Sequence, residues 1–147
     1  MSKSYVMTVE TKTKTTTEVV VDEPRIPIQQ WGSDHWSTFA YVETLCVDHG
    51  GMPDIRRMRC DQDLHPQFSH AGCDSGKKYP TRYKGGELAD HDDWSCMDDC
   101  ELVGLVENKG TGLHRVYKLT ALGKLVAGQL RSHKMNDGNF ATFAPTI

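Results

Sequence analysis

The run GLVENKGTGLHRVYKLTALGKLVAGQLRSHK, residues 104–134, leaves the chain few ways to fold. Two short runs with β-favouring residues flank a glycine-rich tetrapeptide, so the spacing predicts strands near 105–108 and 114–119 joined by Lys109–Gly110–Thr111–Gly112. Gly104 allows the chain to leave a preceding helix in the left-handed region. Thr120 is a good N-cap for the segment that follows, whose stripe is Leu122, Leu125, Val126 and Leu130. Asn136, Asp137 and Gly138 end that helix, and Phe140 and Phe143 in the tail are expected to fold back onto the body.

Upstream of Gly104, helical spacing returns at Asp92. Trp94, Met97 and Cys100 share a face, with Val103 one turn on. A further helix is predicted over 34–49, with Ser33 or Asp34 as N-cap and Gly50 beyond its C-terminus. Trp36, Phe39, Ala40 and Cys46 form its core stripe, flanked by Val42 and Leu45. Pro53 can open a short helix over 53–59 that points Ile55 and Met58 inward and three arginines outward. In residues 1–30, Tyr5, Met7 and Val9 alternate with polar neighbours, and Val19, Val20 and Val21 offer a second strand across a polar Lys12–Thr17 turn. The alternative is an arm that orders only against a partner. Residues 60–90 lose periodicity, and a connection of that length is either functional or held by a staple.

Taken together, helix, GLVENKG-TGLHRVYKLTALG and amphipathic helix resemble the C-terminal half of winged helix-turn-helix domains such as the MarR and PadR regulators. The likeness is carried by Gly104–Leu105–Val106, Tyr117, Leu119–Thr120 and Gly123. It implies an α+β fold: a winged-helix core over 31–134 with an insertion at 60–90, an N-terminal β arm or hairpin over 1–30, and a tail over 135–147. Residues 60–90 stand where the family has a tight turn between its second and third helices. The pieces WGSDHWSTFAYVETLCVDHGG, YPTRYKGG and HDDWSC resemble small proteins of bacteriophages and their hosts, across most of 31–143. That likeness implies a phage setting, and the fold implies DNA binding and transcription regulation.

Charge complicates this expectation. The formal net charge is −3, not the strong positive balance of a general nucleic-acid binder. Glu87, Asp90, Asp92, Asp93, Asp98, Asp99 and Glu101 surround the helix that the resemblance makes the reading helix, and phosphate contact needs lysine and arginine instead. Basic residues cluster elsewhere: Arg56, Arg57 and Arg59; Lys77, Lys78, Arg82 and Lys84, interleaved with Tyr79 and Tyr83; and Lys109, His114, Arg115 and Lys118 on or beside the wing. Two functions are therefore expected. The first is a nucleic-acid-binding regulator that uses wing and insertion through these cations. The second is a module that docks a basic host or phage protein on Asp92, Asp93, Asp98, Asp99 and Glu101. Solvated charge is the plainer reading of both sets, and Asp90, Asp92 and Asp93 also complement a helix dipole. A homodimer is compatible with either function.

The 147 residues include five cysteines. There is no apolar h-region in the first thirty residues and no run that could span a bilayer, so a cytoplasmic protein with thiols or metal ligands is expected. Cys60, His65, His70 and Cys73 carry zinc-ligand chemistry in the spacing C-x4-H-x4-H-x2-C. A zinc ion there would staple 60–90; otherwise Cys60 is a small buried hydrophobe and the histidines belong to a loop. Cys46 and Cys100 read as core residues. No glycine-rich phosphate loop after a strand, nucleophile elbow or cysteine–histidine catalytic pair is recognisable, so no enzyme is expected.

Overall fold

The computed structural model describes residues 3–10, 16–23, 26–54, 80–89, 91–111 and 114–147. Among the described residues, three α-helices and three two-stranded antiparallel hairpins make a mixed α+β fold. The N-terminal hairpin pairs β1 (Lys3–Glu10) with β2 (Thr16–Glu23), in a register that sets Tyr5 against Val21 and Met7 against Val19. Thr16 and Thr17, assigned from sequence to the turn, belong to β2, as threonine's β-branching favours.

The first helix, α1, is Ser33–Asp48. Its N-cap is Gly32, not Ser33 or Asp34. The reason is tertiary: Asp34 turns inward and accepts from Arg82 backbone N (2.7 Å) and from the Arg82 guanidinium. A Cβ on Gly32 would lie 2.7 Å from Tyr83 Cα, so only glycine permits this approach of the helix start to the strand. Gly50 leaves the helix at φ 61°, as expected of a residue beyond a helix end. Trp36, Phe39, Val42 and Leu45 are fully buried, whereas Ala40 and Cys46 sit at the margin of the stripe. Pro53 and Asp54 are not helical, and 55–59 of the expected second helix lie outside the described residues.

Part of the segment expected to be irregular is ordered. Residues Thr81–Tyr83 (β3) pair with Gly86–Leu88 (β4), and β3 lies against α1 with a bridge from Tyr83 to Trp31. Three-residue strands are too short to register as a period in sequence.

The next helix, α2, is Asp93–Leu102. Asp92 caps it, its carboxylate accepting from Ser95 N at 3.0 Å. Trp94, Met97 and Cys100 face the core, and Gly104 exits at φ 85°. β5 (Val106–Asn108) pairs with β6 (Tyr117–Leu119), a shorter second strand than expected. His114 bridges Thr111, and Arg115–Val116 lie outside the strand. Asn108 bears on this locally: its side-chain oxygen accepts from Gly110 N and Val116 N, beside a backbone bond from Lys109 N to Val116 O.

The last helix, α3, is Ala121–Met135, capped by Thr120, whose hydroxyl accepts from Gly123 N (2.9 Å) and donates to Gly104 O. A Cβ on Gly123 would strike Leu105 O, so α3 meets the α2–β5 junction backbone to backbone. Gly123, Val126, Ala127 and Leu130 make the buried face; Leu125 is 53% exposed, one step off the stripe. Phe143 folds back and packs edge-on against Trp36 at 4.7 Å. No helix among the described residues is long and apolar enough to cross a membrane.

Candidate functional site

Beneath the hairpin β3–β4, four polar side chains from three elements meet in the core. His35 comes from the first turn of α1, His91 from the residue before the α2 cap, and Cys96 and Asp99 from the inner face of α2. Cys96 and Asp99 are three residues apart, which puts both on one helix face. His35, His91 and Cys96 have no exposed surface, and Asp99 is 2% exposed.

Asp99 Oδ2 lies 2.8 Å from His35 Nε2 and 2.9 Å from His91 Nε2. Burial opposes ionisation of Asp99, but the hydrogen bonds from His35 and His91 outweigh it and hold the carboxyl below its ordinary value. An ionised carboxylate only accepts, so each imidazole carries a proton on Nε2. His91 Nδ1 then faces the Thr81 hydroxyl at 2.7 Å and Cys96 Sγ at 3.7 Å. His35 Nδ1 is buried without a hydrogen-bond partner. The His35 ring is held flat against Trp31, with centroids 4.7 Å apart. Burial pushes His35 down from the ordinary histidine value, against the pull of Asp99. Burial, with Asp93 adding to it, pushes the Cys96 thiol well up. One donor atom of each of His35, His91 and Cys96 lies within 4.8 Å of the others, so these three can hold a metal ion.

Sequence reasoning missed this cluster because its signal is not a spacing. Residues 35 and 91 are brought together by the packing of α1 on α2. The motif HDDWSC did contain two of the four residues. The ligands expected from sequence, Cys60, His65, His70 and Cys73, lie outside the described residues. Cys100 is buried as read, and Cys46 is half-buried, its thiol donating to Tyr117 O.

The expected charged surfaces are rearranged by internal pairing. Arg115 is turned inward: its side chain is 13% exposed, Nη1 donates to Asp98 Oδ1 (2.6 Å) and Tyr117 Oη (2.8 Å), and the guanidinium lies over Trp94 at 5.2 Å. Burial, opposed by that guanidinium, pushes the Tyr117 hydroxyl up to about 12. Lys109 pairs with Glu107 at the surface, and Lys118 is exposed opposite Glu107 in the β5–β6 hairpin. Arg82 is bound to Asp34 yet keeps 61% of its side chain exposed, and Lys84 Nζ donates to Phe143 O. Arg56, Arg57, Arg59, Lys77 and Lys78 lie outside the described residues. On α2, Asp92 and Asp99 are buried, Asp93 and Asp98 are half-buried, and Glu101 is exposed.

Comparison of the chain with family models, with curated proteins and with solved structures finds no match.

Proposed function

We propose that the protein is a small, non-enzymatic nucleic-acid-binding module of the winged-helix kind, acting as a regulator, that touches the phosphate backbone through its wing and the hairpin of its insertion. The observation that carries this reading is the local arrangement α2–Gly104–hairpin–Thr120–α3, with Lys109, His114 and Lys118 at the wing surface and Arg82 and Lys84 on β3 and its turn. Internal engagement of Asp92, Asp98 and Asp99 supports it, because three of the carboxylates that would repel a polyanion are spent on a cap, on Arg115 and on two histidines. Burial of the His35–His91–Cys96 cluster supports a non-enzymatic role: a substrate does not reach a side chain with no exposed surface. Zinc is the cofactor we propose for the module, as a structural ion.

The test is fluorescence anisotropy with a labelled mixed-sequence DNA duplex at several salt concentrations. Binding is expected to weaken as salt rises, and Lys109→Gln with Lys118→Gln to flatten the slope by about one unit per lost phosphate contact. Absence of binding at low salt, in folded protein, would overturn the reading.

A second reading is favoured by one observation. Glu101 and Leu102 are both exposed at the end of α2 and form an acidic edge with an apolar tip. A basic partner protein would dock there.

A further inference from the structure

The two imidazoles on one carboxylate are unusual in what they leave over. With Nε2 of His35 and of His91 donating to Asp99 Oδ2, the lone pair of each ring lies on Nδ1. A buried polar atom normally finds a partner, and His35 Nδ1 has none. His91 Nδ1 is 3.7 Å from Cys96 Sγ. Two donors of a tetrahedral zinc ion, one sulfur at about 2.3 Å and one nitrogen at about 2.0 Å, are separated by roughly 3.6 Å. One ring nitrogen of each histidine and Cys96 Sγ lie within 4.8 Å of one another, and the side chains close from there to roughly 3.6 Å to hold an ion.

We propose that His35, His91 and Cys96 bind one zinc-class divalent ion, and that Asp99 is the carboxylate behind both imidazoles that orients them for it. Metal-bound histidines commonly donate their other ring N–H to a carboxylate, which fixes the tautomer and strengthens the ligand. Here one carboxylate serves two histidines. The Thr81 hydroxyl, 2.7 Å from His91 Nδ1 and 3.8 Å from Cys96 Sγ, is an oxygen donor at hand for the remaining position. The thiol must lose its proton to bind: the ion replaces the hydrogen on Cys96 Sγ, and that proton leaves to solvent. Such an ion ties the start of α1 to α2 and, through Thr81, to β3. It is a staple for the hairpin rather than a reaction centre, because it is sealed from solvent.

This inference rests on the zinc reading above and is independent of nucleic-acid binding. It is tested on the purified full chain by elemental analysis, by X-ray absorption at the zinc edge, and by cobalt(II) added to chelator-stripped protein. One equivalent of metal is expected, with one sulfur and two imidazole nitrogens in the coordination shell. Cobalt is expected to give a thiolate charge-transfer band that Cys96→Ser abolishes and the Cys60→Ser, Cys73→Ser double variant keeps. Asp99→Asn is expected to keep the band and weaken binding about 10–100-fold; unchanged affinity would end its orienting role. Metal-free protein without a cobalt band would overturn both the zinc reading and this assignment. A shell with two sulfurs, or a band that survives Cys96→Ser, would overturn this assignment alone and move the ion to Cys60, His65, His70 and Cys73. If Cys96→Ser does not fold, the sulfur count of the wild-type shell decides.

Discussion

Asp98 on α2 and Arg115, two residues before β6, are joined by a 2.6 Å hydrogen bond from Nη1 to Oδ1. It links the acidic helix α2 to the cation that the sequence resemblance would place on a DNA-contacting wing. Because the Arg115 side chain is only 13% exposed and also binds Tyr117 Oη and covers Trp94, its contacts hold the β5–β6 hairpin to α2. Arg115→Gln should therefore cost about 1–3 kcal/mol, from a charge-assisted hydrogen bond and a cation–π contact. Lys118→Gln, at an exposed position of the same hairpin, should stay within about 0.5 kcal/mol. Urea midpoints of the two variants give the comparison; equal stabilities would show that the Arg115 contacts are not maintained in solution.

Glycine substitutions test the junction of the β5–β6 hairpin and α3. Gly123→Ala would drive a methyl into Leu105 O, between two backbones with little room to shift, and should destabilise by about 1–3 kcal/mol. Gly128→Ala meets only the end of the Arg131 side chain at 3.7 Å and should stabilise the same helix by up to about 1 kcal/mol. Opposite signs of the shift in thermal midpoint are expected; loss of stability at both positions would mean that α3 is packed on a further surface.

These junction residues were legible because their cues are local. Gly104, Thr120 and Asn136–Gly138 act on the neighbouring few residues, and each marks a boundary found in the structure. The N-cap of α1 was not legible, because what decides it is Arg82, far along the chain, which claims Asp34. The same holds for the candidate site. Asp99 looked like one more carboxylate on an acidic helix, and only the packing of α1 against α2 reveals that its partners are His35 and His91. An acidic sequence was read as an acidic surface, whereas three of those aspartates are consumed by a cap, an arginine and two imidazoles.

Acid should destabilise the fold in two stages. Burial lowers the pKa of His35 from 6.5, so the unfolded chain takes up a proton below that value which the folded chain resists. Stability is then full above pH 6.5 and falls as pH drops, by up to about 1.4 kcal/mol per unit for one proton. Asp99, held below its ordinary 3.8, contributes stability that is complete above that value and is lost as pH falls through its folded pKa. Urea midpoints between pH 8 and pH 4, with chelator present to remove metal linkage, should show the first decline, and His35→Asn should flatten it. A wild-type midpoint independent of pH over that window would mean that burial does not lower the proton affinity of His35 in the fold.

The sign of charge effects separates the two proposed functions, provided that the substitutions spare the interior. Asp92→Asn would weaken the α2 cap and Asp99→Asn would disturb two buried histidines, so neither reports on docking. Glu101 is the better probe: it is exposed in the last turn of α2, whereas Asp93 is half-buried and acts on the Cys96 thiol. If nucleic acid is the ligand, Glu101→Gln removes repulsion and should tighten binding, while Lys109→Gln with Lys118→Gln should weaken it. If a basic protein docks on α2, Glu101→Gln should weaken the complex, and Leu102→Ala should weaken it further by removing the apolar tip. The lysine pair should then have little effect. Circular dichroism of each variant checks that the fold is retained, and anisotropy with DNA and a pull-down from nuclease-treated lysate give the two readouts. Binding that ignores both charge sets would refute both functions and would turn attention to the N-terminal hairpin β1–β2.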